Sequence, residues 1–533
     1  MKRIIIKTIA AAALAPIFCG CTSNFEDYNT NPYQPHDLNP PMLYTTMITS
    51  GVNVQQNDNQ MIDQMVGGPF GGYLSMSQDW GRVNNFYTYN ADDNWNQIPF
   101  NTPFEKFYAN YYRIQEATGE KGHFWAMAKL LRVNTMHRVT DAYGPIPYSQ
   151  VSKGVAATPY DSQEDVYKHM FEDLDYAINI LKEYVTETGG MKPLEGYDPV
   201  FNGDYSKWVR FANSMKLRLA LRISSADPVL AQKKAEEAVA DNGGLIETPS
   251  DNAMCSVGAE PNPYQLVAND WGEIRVNATI ASYMNGYNDP RREAYYDKST
   301  FGSVSGDAYT GEEGYVGLRR GILQGQYNSW SQGSSCMKVT ASDNIVVFRA
   351  SEVAFLRAEG ALRGWNMGGS PKDLYEAGIR LSFEENNISS GVESYLANTG
   401  KVEGYKDPLK GQSGQTYDYS GSINTTVTVA WAGGDFEKSL EQIITQKWIA
   451  NFPNGMESWS EYRRTGYPKL MPMAANASSG IVDDTEGARR MPYPTDEYRE
   501  NKESVEAAVS TLTQESKTKK GDSMATHVWW DCK

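Results

Sequence analysis

Hydrophobic residues recur at steps of three and four along much of the chain, which is the spacing of one face of an α-helix. A clear stripe begins with Val166, Met170 and Leu174. Weaker helical patterns cover 41–65 and 103–120. The remaining predicted helices follow one another in pairs: 124–139 with 163–184, 205–223 with 228–241, 350–364 with 372–386, and 437–452 with 456–464. Such pairs are typical of tetratricopeptide-like repeats, although the spacing departs from a regular period of about 34 residues. We therefore predict a mostly α fold built on a tetratricopeptide-like helical-repeat scaffold.

The stretch 141–148 is predicted to form a rigid turn between the first two paired helices. Gly144 loosens the backbone, and Pro145 lacks an N–H group and fixes φ, so the helix cannot continue. Tyr143 and Tyr148 can each bury a ring and still form a hydrogen bond through the hydroxyl group. We interpret this turn as part of the scaffold and not as a catalytic element.

Long segments without a helical period interrupt the scaffold. They cover 67–100, 245–345 (apart from a short helical piece) and 389–434, and they are rich in glycine, asparagine and aromatic residues. Segments of this composition are expected to be loops that display side chains. The tail from 466 to 533 is predicted to be mostly loop and turn. Because the composition does not shift sharply, 41–533 is expected to form a single domain.

The N-terminus has the pattern of a bacterial lipoprotein signal. A positively charged start is followed by an apolar run that is too short to span a bilayer. Gly20 stands immediately before Cys21, as in a lipobox. We predict a lipoprotein signal peptide over 1–20, cleavage before Cys21 with lipidation of its thiol, and a lipidated tether over 21–40. An ordinary secretory signal that is cut elsewhere is the alternative.

The charge balance and the cysteines exclude several classes of protein. The formal net charge is −16, from 65 acidic and 49 basic residues. Nucleic-acid binding is not expected, since a binder needs a basic stripe to displace counterions and none is visible. Cys255, Cys336 and Cys532 stand at unrelated spacings, which predict neither a disulfide framework nor a zinc cluster.

The sequence predicts no catalytic residue, no metal site and no cofactor. It lacks a His-Glu-x-x-His pair, a nucleophile elbow, a phosphate-binding glycine loop and a dinucleotide fingerprint. The pair Asp92-Asp93 fits a solvated turn as well as a weak calcium site, so a structural calcium ion is left open without being indicated.

Aromatic residues provide the candidate binding site. They make up 12% of the chain, with 34 Tyr and 12 Trp. The apolar face of a sugar ring packs on an indole or phenol ring, and neighbouring Asn, Asp and Arg side chains can bind its hydroxyl groups. Trp208 and Trp448 lie on helical stripes and are expected in the core. The candidates in the polar inserts are Trp80, Trp95, Trp271, Tyr327 and Trp330. For each of them, burial as a loop anchor remains the alternative.

Several motifs occur in a fixed order along the chain. They are Tyr28-Asn29-Thr30-Asn31-Pro32, the turn at 141–148, Asp289-Pro290-Arg291, the stretch 351–359, the stretch 443–448, Glu457-Ser458-Trp459, the stretch 463–468, Met491-Pro492-Tyr493-Pro494 and Trp529-Trp530-Asp531. Together with the lipobox, this ordered set resembles the SusD/RagB family of outer-membrane lipoproteins, and in particular its SusD-like branch.

The resemblance implies helical repeats with irregular, ligand-facing inserts, and a location at the cell surface in the outer membrane. It also implies a partner, a SusC-like TonB-dependent barrel that the lipoprotein covers as a lid. The expected function is non-enzymatic capture of an oligosaccharide and its delivery to that barrel. Three alternatives stay open: oligopeptide binding as in RagB-like members, a surface glycoside hydrolase, and a scaffold that binds only proteins. The hydrolase would need two carboxylates across one cleft, about 5–9 Å apart.

Overall fold

The computed structural model describes residues 39–78, 84–151, 157–300, 314–322, 331–407 and 419–533. The chain divides into two units, Met1–Pro40 and Pro41–Lys533. The predicted signal peptide, the lipidated Cys21 and nearly all of the predicted tether lie outside the described residues. They stay predictions.

Helices dominate the described residues. In chain order the α-helices are α1 (Pro41–Val52), α2 (Gln56–Asn59), α3 (Gly68–Phe70), α4 (Asp93–Asn96), α5 (Ile98–Thr118), α6 (Gly122–Tyr143), α7 (Gln163–Thr188), α8 (Tyr205–Arg222), α9 (Pro228–Ala240), α10 (Pro263–Gln265), α11 (Ala278–Gly286), α12 (Arg292–Tyr295), α13 (Ala350–Leu362), α14 (Pro371–Glu385), α15 (Val392–Leu396), α16 (Phe436–Ala450), α17 (Gly455–Thr465), α18 (Thr495–Glu500) and α19 (Lys502–Glu515).

Two π-helices, three 3₁₀ turns and six short strands complete the described elements. The first π-helix is Gln60–Gly67, the second is Leu266–Asp270, and the 3₁₀ turns are Phe86–Thr88, Pro249–Asp251 and Ser331–Gly333. The strands are β1 (Leu74–Met76), β2 (Ala253–Cys255), β3 (Ile274–Val276), β4 (Ile345–Phe348), β5 (Tyr405–Lys406) and β6 (Ser420–Gly421). They form the antiparallel pairs β1–β3, β2–β4 and β5–β6.

Consecutive helices pack against each other, as the hydrophobic stripes predict. In the series α6 to α9 each helix packs on the next, and α13 packs on α14. The stripe of α7 is buried at Val166, Met170 and Leu174, and Ser162 caps the helix by accepting a hydrogen bond from the Asp165 amide. Such a cap satisfies one of the amide groups that have no partner within the helix. The prediction of a mostly α fold of paired helices is confirmed.

The turn after α6 is also confirmed as a rigid connection. Helix α6 runs through Tyr143, and Gly144 then adopts a positive φ of 88°, which ends the helix. The hydroxyl of Tyr143 donates to the Asn96 carbonyl at 2.9 Å, and that of Tyr148 donates to the Asp173 carboxylate at 2.8 Å. Both rings are fully buried. The turn therefore ties α6 to α7 and to the segment before α5.

The fourth predicted helix pair does not pack as a pair. Helix α16 packs mainly against α13, whereas α17 packs mainly against the first π-helix. Side chains still join the two helices, as between Lys447 and Glu461, whose Nζ and Oε2 atoms lie 2.9 Å apart. The reason is a close backbone approach at Gly455 that holds α17 against Gly67 of the π-helix.

Two further helices differ from the predicted elements. The tail contains α19, whose buried residues Val505, Ala508 and Leu512 lie at helical spacing. Helix α5 begins at Ile98 and includes Pro103 within its second turn. The hydrophobic period of α19 was present in the sequence, but three apolar positions in polar surroundings were too few to predict a helix there.

The contact between α17 and the first π-helix gives a stability prediction. A Cβ atom on Gly455 would lie 2.3 Å from the carbonyl carbon of Gly67, and backbone atoms cannot move aside cheaply. We expect Gly455→Ala to reduce the free energy of unfolding by about 1–3 kcal/mol, the usual cost of overpacking. Thermal unfolding followed by circular dichroism measures this loss.

The matched control is Gly314→Ala, because a Cβ atom at Gly314 would meet nothing within 4 Å. The control is expected to unfold at the same temperature as the unaltered protein. Equal midpoints for the two variants would contradict the close backbone contact.

Candidate functional site

The β1–β3 pair brings two of the inserts together. Leu74 pairs with Val276, and Met76 pairs with Ile274. Strand β1 lies within the first insert, 67–100, and β3 lies within the second, 245–345. The short ladder thus holds these two inserts side by side.

A set of hydrogen bonds joins three chain segments at this point. Ser77 Oγ donates to the Gly272 carbonyl at 2.8 Å, and Ser331 Oγ donates to the Ser77 carbonyl at 3.0 Å. Gln332 Nε2 donates to the carbonyls of both Ser77 and Gly272. Gly272 has a φ of 66°, and a Cβ atom there would lie 2.5 Å from Gln332 Oε1, so the close approach requires glycine.

The buried side chain of Arg275 also stabilises this junction. Its Nη1 atom donates to the carbonyls of Ala268 at 2.8 Å and Ile274 at 2.7 Å, and its Nη2 atom donates to Gln332 Oε1 at 2.5 Å. The side chain is buried, and burial lowers the pKa of its guanidinium group. Because Arg275 fixes both the second π-helix and Gln332, the junction is a rigid base.

Trp271 lies on this base. It is 37% exposed and is the most exposed tryptophan among the described residues. It follows the second π-helix directly, and its carbonyl accepts a hydrogen bond from Gln78 Nε2 at 2.6 Å. The adjacent Asn269 and Asp270 are also exposed. The site therefore combines an accessible indole ring with polar side chains on a fixed backbone, as binding of a sugar ring requires.

Trp95 is held differently. It belongs to the one-turn helix α4, which begins when the Asp92 carboxylate accepts a hydrogen bond from the Trp95 amide at 3.1 Å. Its ring is partly buried and stacks on Phe86, with 6.2 Å between ring centroids. The Asp92 carboxylate thus caps a helix. Among the residues that the structure describes, no cluster of histidine, cysteine or acidic side chains is arranged to hold a metal ion.

The remaining candidates Trp80, Tyr327 and Trp330 lie outside the described residues. The expectation that Trp208 and Trp448 are core residues is confirmed, since both are buried. His137 is buried as well, and burial lowers its pKa to about 3, so it remains neutral as a structural residue.

The sequence did not indicate the residues that support Trp271. Gln78, Arg275 and Gln332 act by bonding to backbone carbonyls from distant parts of the chain. A local sequence pattern carries no signal for such contacts. Glycine after the tryptophan was the only visible clue, because Gly272 marks a turn.

Comparison with known proteins identifies the family. Residues 27–531 match the SusD-like family model, described as SusD and RagB outer membrane lipoproteins. The chain belongs to the SusD-like family. A search of the curated proteins found no match. Within the described part of the chain, no helix is long and apolar enough to cross a membrane.

Solved structures of SusD-like proteins agree with this assignment. A SusD homologue from Bacteroides ovatus is 62% identical, with a TM-score of 0.88 over 93% of this chain and 99% of the other. A SusD-like protein from Bacteroides thetaiotaomicron is 39% identical, with a TM-score of 0.85 and the same coverage. A chitin-binding SusD homologue from Flavobacterium johnsoniae is 37% identical, with a TM-score of 0.83 over 92% of this chain and 98% of the other.

Glu273, two residues after Trp271, gives a pH-dependent prediction. Burial raises its pKa to about 7, although the hydrogen bond from Gln60 lowers it. In the unfolded chain a glutamate titrates near pH 4.3, at about its reference value. The folded protein therefore keeps a proton that the unfolded chain loses, so stability falls as the pH rises between these values and the loss is complete above about pH 7. Glu273→Gln removes this loss, and its gain in stability over the unaltered protein is expected to be larger at pH 8 than at pH 5.

Urea unfolding at both pH values measures the difference. Glu260→Gln, at an exposed glutamate of the same insert, is the control and is expected to behave alike at both values. A gain for Glu273→Gln that does not change with pH would contradict the assignment.

Proposed function

We propose that the protein is a surface lipoprotein that binds an oligosaccharide without cleaving it and delivers it to a SusC-like TonB-dependent transporter in the outer membrane. Membership of the SusD-like family supports the lipoprotein and uptake role. The relative from Flavobacterium johnsoniae, which is described as chitin-binding, supports a saccharide as the ligand.

The observation that carries the proposal is the exposed Trp271 on its rigid base. An indole ring left in water forgoes the free energy of burial, roughly 1.5–3 kcal/mol for a large apolar side chain. Here Gln78 and Gln332 hold the carbonyl groups of Trp271 and Gly272, so the exposure is built into the fold. A fixed ring loses little conformational entropy when a ligand packs on it.

In the proposed mechanism, the apolar face of one sugar unit packs on Trp271. The exposed Asn269 amide can donate hydrogen bonds to its hydroxyl groups and accept them, and the exposed Asp270 carboxylate accepts them. No bond is broken, and the ligand leaves unchanged when the lipoprotein closes over the barrel. The platform, meaning the Trp271 ring with Asn269 and Asp270 on their hydrogen-bonded base, would raise the local ligand concentration at the transporter.

Isothermal titration tests this function. Purified protein is titrated with oligosaccharides, including chito-oligosaccharides, and with oligopeptides. We expect heat with one glycan class and no hydrolysis product by chromatography. Trp271→Ala is expected to weaken that binding by about tenfold or more, the size of effect seen for a central aromatic contact.

Phe436→Ala is the matched control, because Phe436 is a similarly exposed aromatic residue (40%) at the start of α16. Its glycan affinity is expected to equal that of the unaltered protein. Binding of peptides alone would replace the saccharide by an oligopeptide as the ligand. Appearance of shortened glycans would show a hydrolase.

A further inference from the structure

The exposed side chains on both sides of Trp271 offer hydrogen-bond acceptors. Gln78 uses its Nε2 atom to bind the Trp271 carbonyl, and within the described residues its Oε1 atom accepts no hydrogen bond. Asp270 accepts one hydrogen bond, from Gln265 Nε2 to Oδ1 at 2.8 Å, which holds the carboxylate in place. Its Oδ2 atom is left to accept from a ligand. Both side chains are accessible to solvent or partly so.

Asn269 provides the donor beside these acceptors. Its Oδ1 atom already accepts a hydrogen bond from Cys336 Sγ at 3.4 Å, so its Nδ2 atom is the one that faces a ligand with free capacity. The accessible set around the ring therefore contains two acceptor groups, one of them charged, against one neutral donor. Such a set suits a ligand that is rich in donors.

The charge around Trp271 is negative. Asp270 forms no ion pair with any described residue, and it lies at an exposed position. Arg275 is the cation that contacts this part of the described chain, but it is buried and bound to the carbonyls of Ala268 and Ile274. A ligand on the ring thus meets an unpaired carboxylate and no accessible cation from the described residues.

The carboxylate and the ring are neighbours on a fixed backbone. Asp270 is the last residue of the second π-helix, and the Trp271 amide donates to the Leu266 carbonyl at 2.9 Å. A cationic group held by Asp270 therefore lies beside an indole ring. Among aromatic side chains, tryptophan attracts cations to its ring face most strongly.

We propose that the platform selects an amino sugar, a saccharide unit whose free ammonium group binds Asp270 while its ring packs on Trp271. An ammonium group brings three donors and a positive charge to a site with surplus acceptors and a negative charge. The inference rests on the proposed function, because it names the class of saccharide for the same site.

Other substituents suit the platform less well. An acetamido or hydroxyl group in the same position forms hydrogen bonds but gains nothing from the charge of Asp270. A uronate or sulfate group is repelled by that carboxylate. The net charge of −16 adds to this selection, since an acidic protein attracts cationic ligands and repels anionic ones.

The test is titration of the full chain with the disaccharides of glucosamine, N-acetylglucosamine and glucose (cellobiose). They share one linkage and differ only in the group at the second ring carbon. At about pH 5.5, where amino groups are protonated, we expect the glucosamine disaccharide to bind about tenfold more tightly than cellobiose. Added salt is expected to reduce this preference, because it screens an exposed charge pair.

Asp270→Asn removes the charge and keeps the shape of the side chain. We expect it to reduce the preference for the glucosamine disaccharide over cellobiose by about threefold, the size of an exposed ion pair. Glu260→Gln is the matched control, because it removes an equal charge from an exposed position of the same insert, and it is expected to keep the preference. A purely structural role for Asp270 would weaken the binding of all three disaccharides alike.

The outcomes separate this inference from the proposed function. Equal affinities for the glucosamine disaccharide and cellobiose, with both lost in Trp271→Ala, would overturn the inference and leave the proposed function standing. A preference that survives Asp270→Asn would overturn it as well. Binding of dilysine, with no binding of any glycan, would show a cationic peptide as the ligand and overturn both.

Discussion

A buried network of charges fixes the position of α17, on which the rest of the molecule depends. Arg222 donates to Glu457 and Glu461, each at 2.5 Å, and Arg464 bridges Glu461 and Glu359 with distances of 2.6–2.7 Å. These side chains come from α8, α13 and α17 and are almost completely buried. Burial acts to raise the pKa of Glu457, yet the surrounding cations, Arg222 foremost, lower it to about 2. Loss of one partner would leave an unpaired charge in the interior, which costs about 3–5 kcal/mol. The three helices therefore have little freedom to move relative to one another.

The platform of Trp271 is built outward from α17. Gly455 at its start contacts Gly67 of the first π-helix, and that helix leads through α3 into β1 and the platform of Trp271. Gln60 of the same π-helix donates to Glu273, so this helix is joined to the turn that follows Trp271. The helices thus act as a frame, and an irregular segment attached to that frame presents the proposed binding residue Trp271. π-helices are uncommon and occur often at functional sites.

The sequence predicted those parts of the fold that depend on local pattern. The stripe of α7 and the turn around Gly144 could be recognised because spacing and residue type determine them. The prediction of a fourth helix pair was wrong, because the position of α17 depends on the backbone contact between Gly455 and Gly67, almost 400 positions apart. For the site, Trp271 could be named from its polar surroundings, but its support by Arg275 could not, since that side chain bonds to carbonyls that any residue provides.

The geometry of the described inserts also favours a saccharide over an extended peptide. An extended peptide can bind by adding a strand to an open sheet edge, where successive main-chain groups supply the affinity. The strands in the described residues are only two to four residues long and form isolated pairs, so each edge offers few such groups. An indole ring flanked by Asn269 and Asp270 needs no strand edge, because the ring face and two polar side chains can hold one sugar unit.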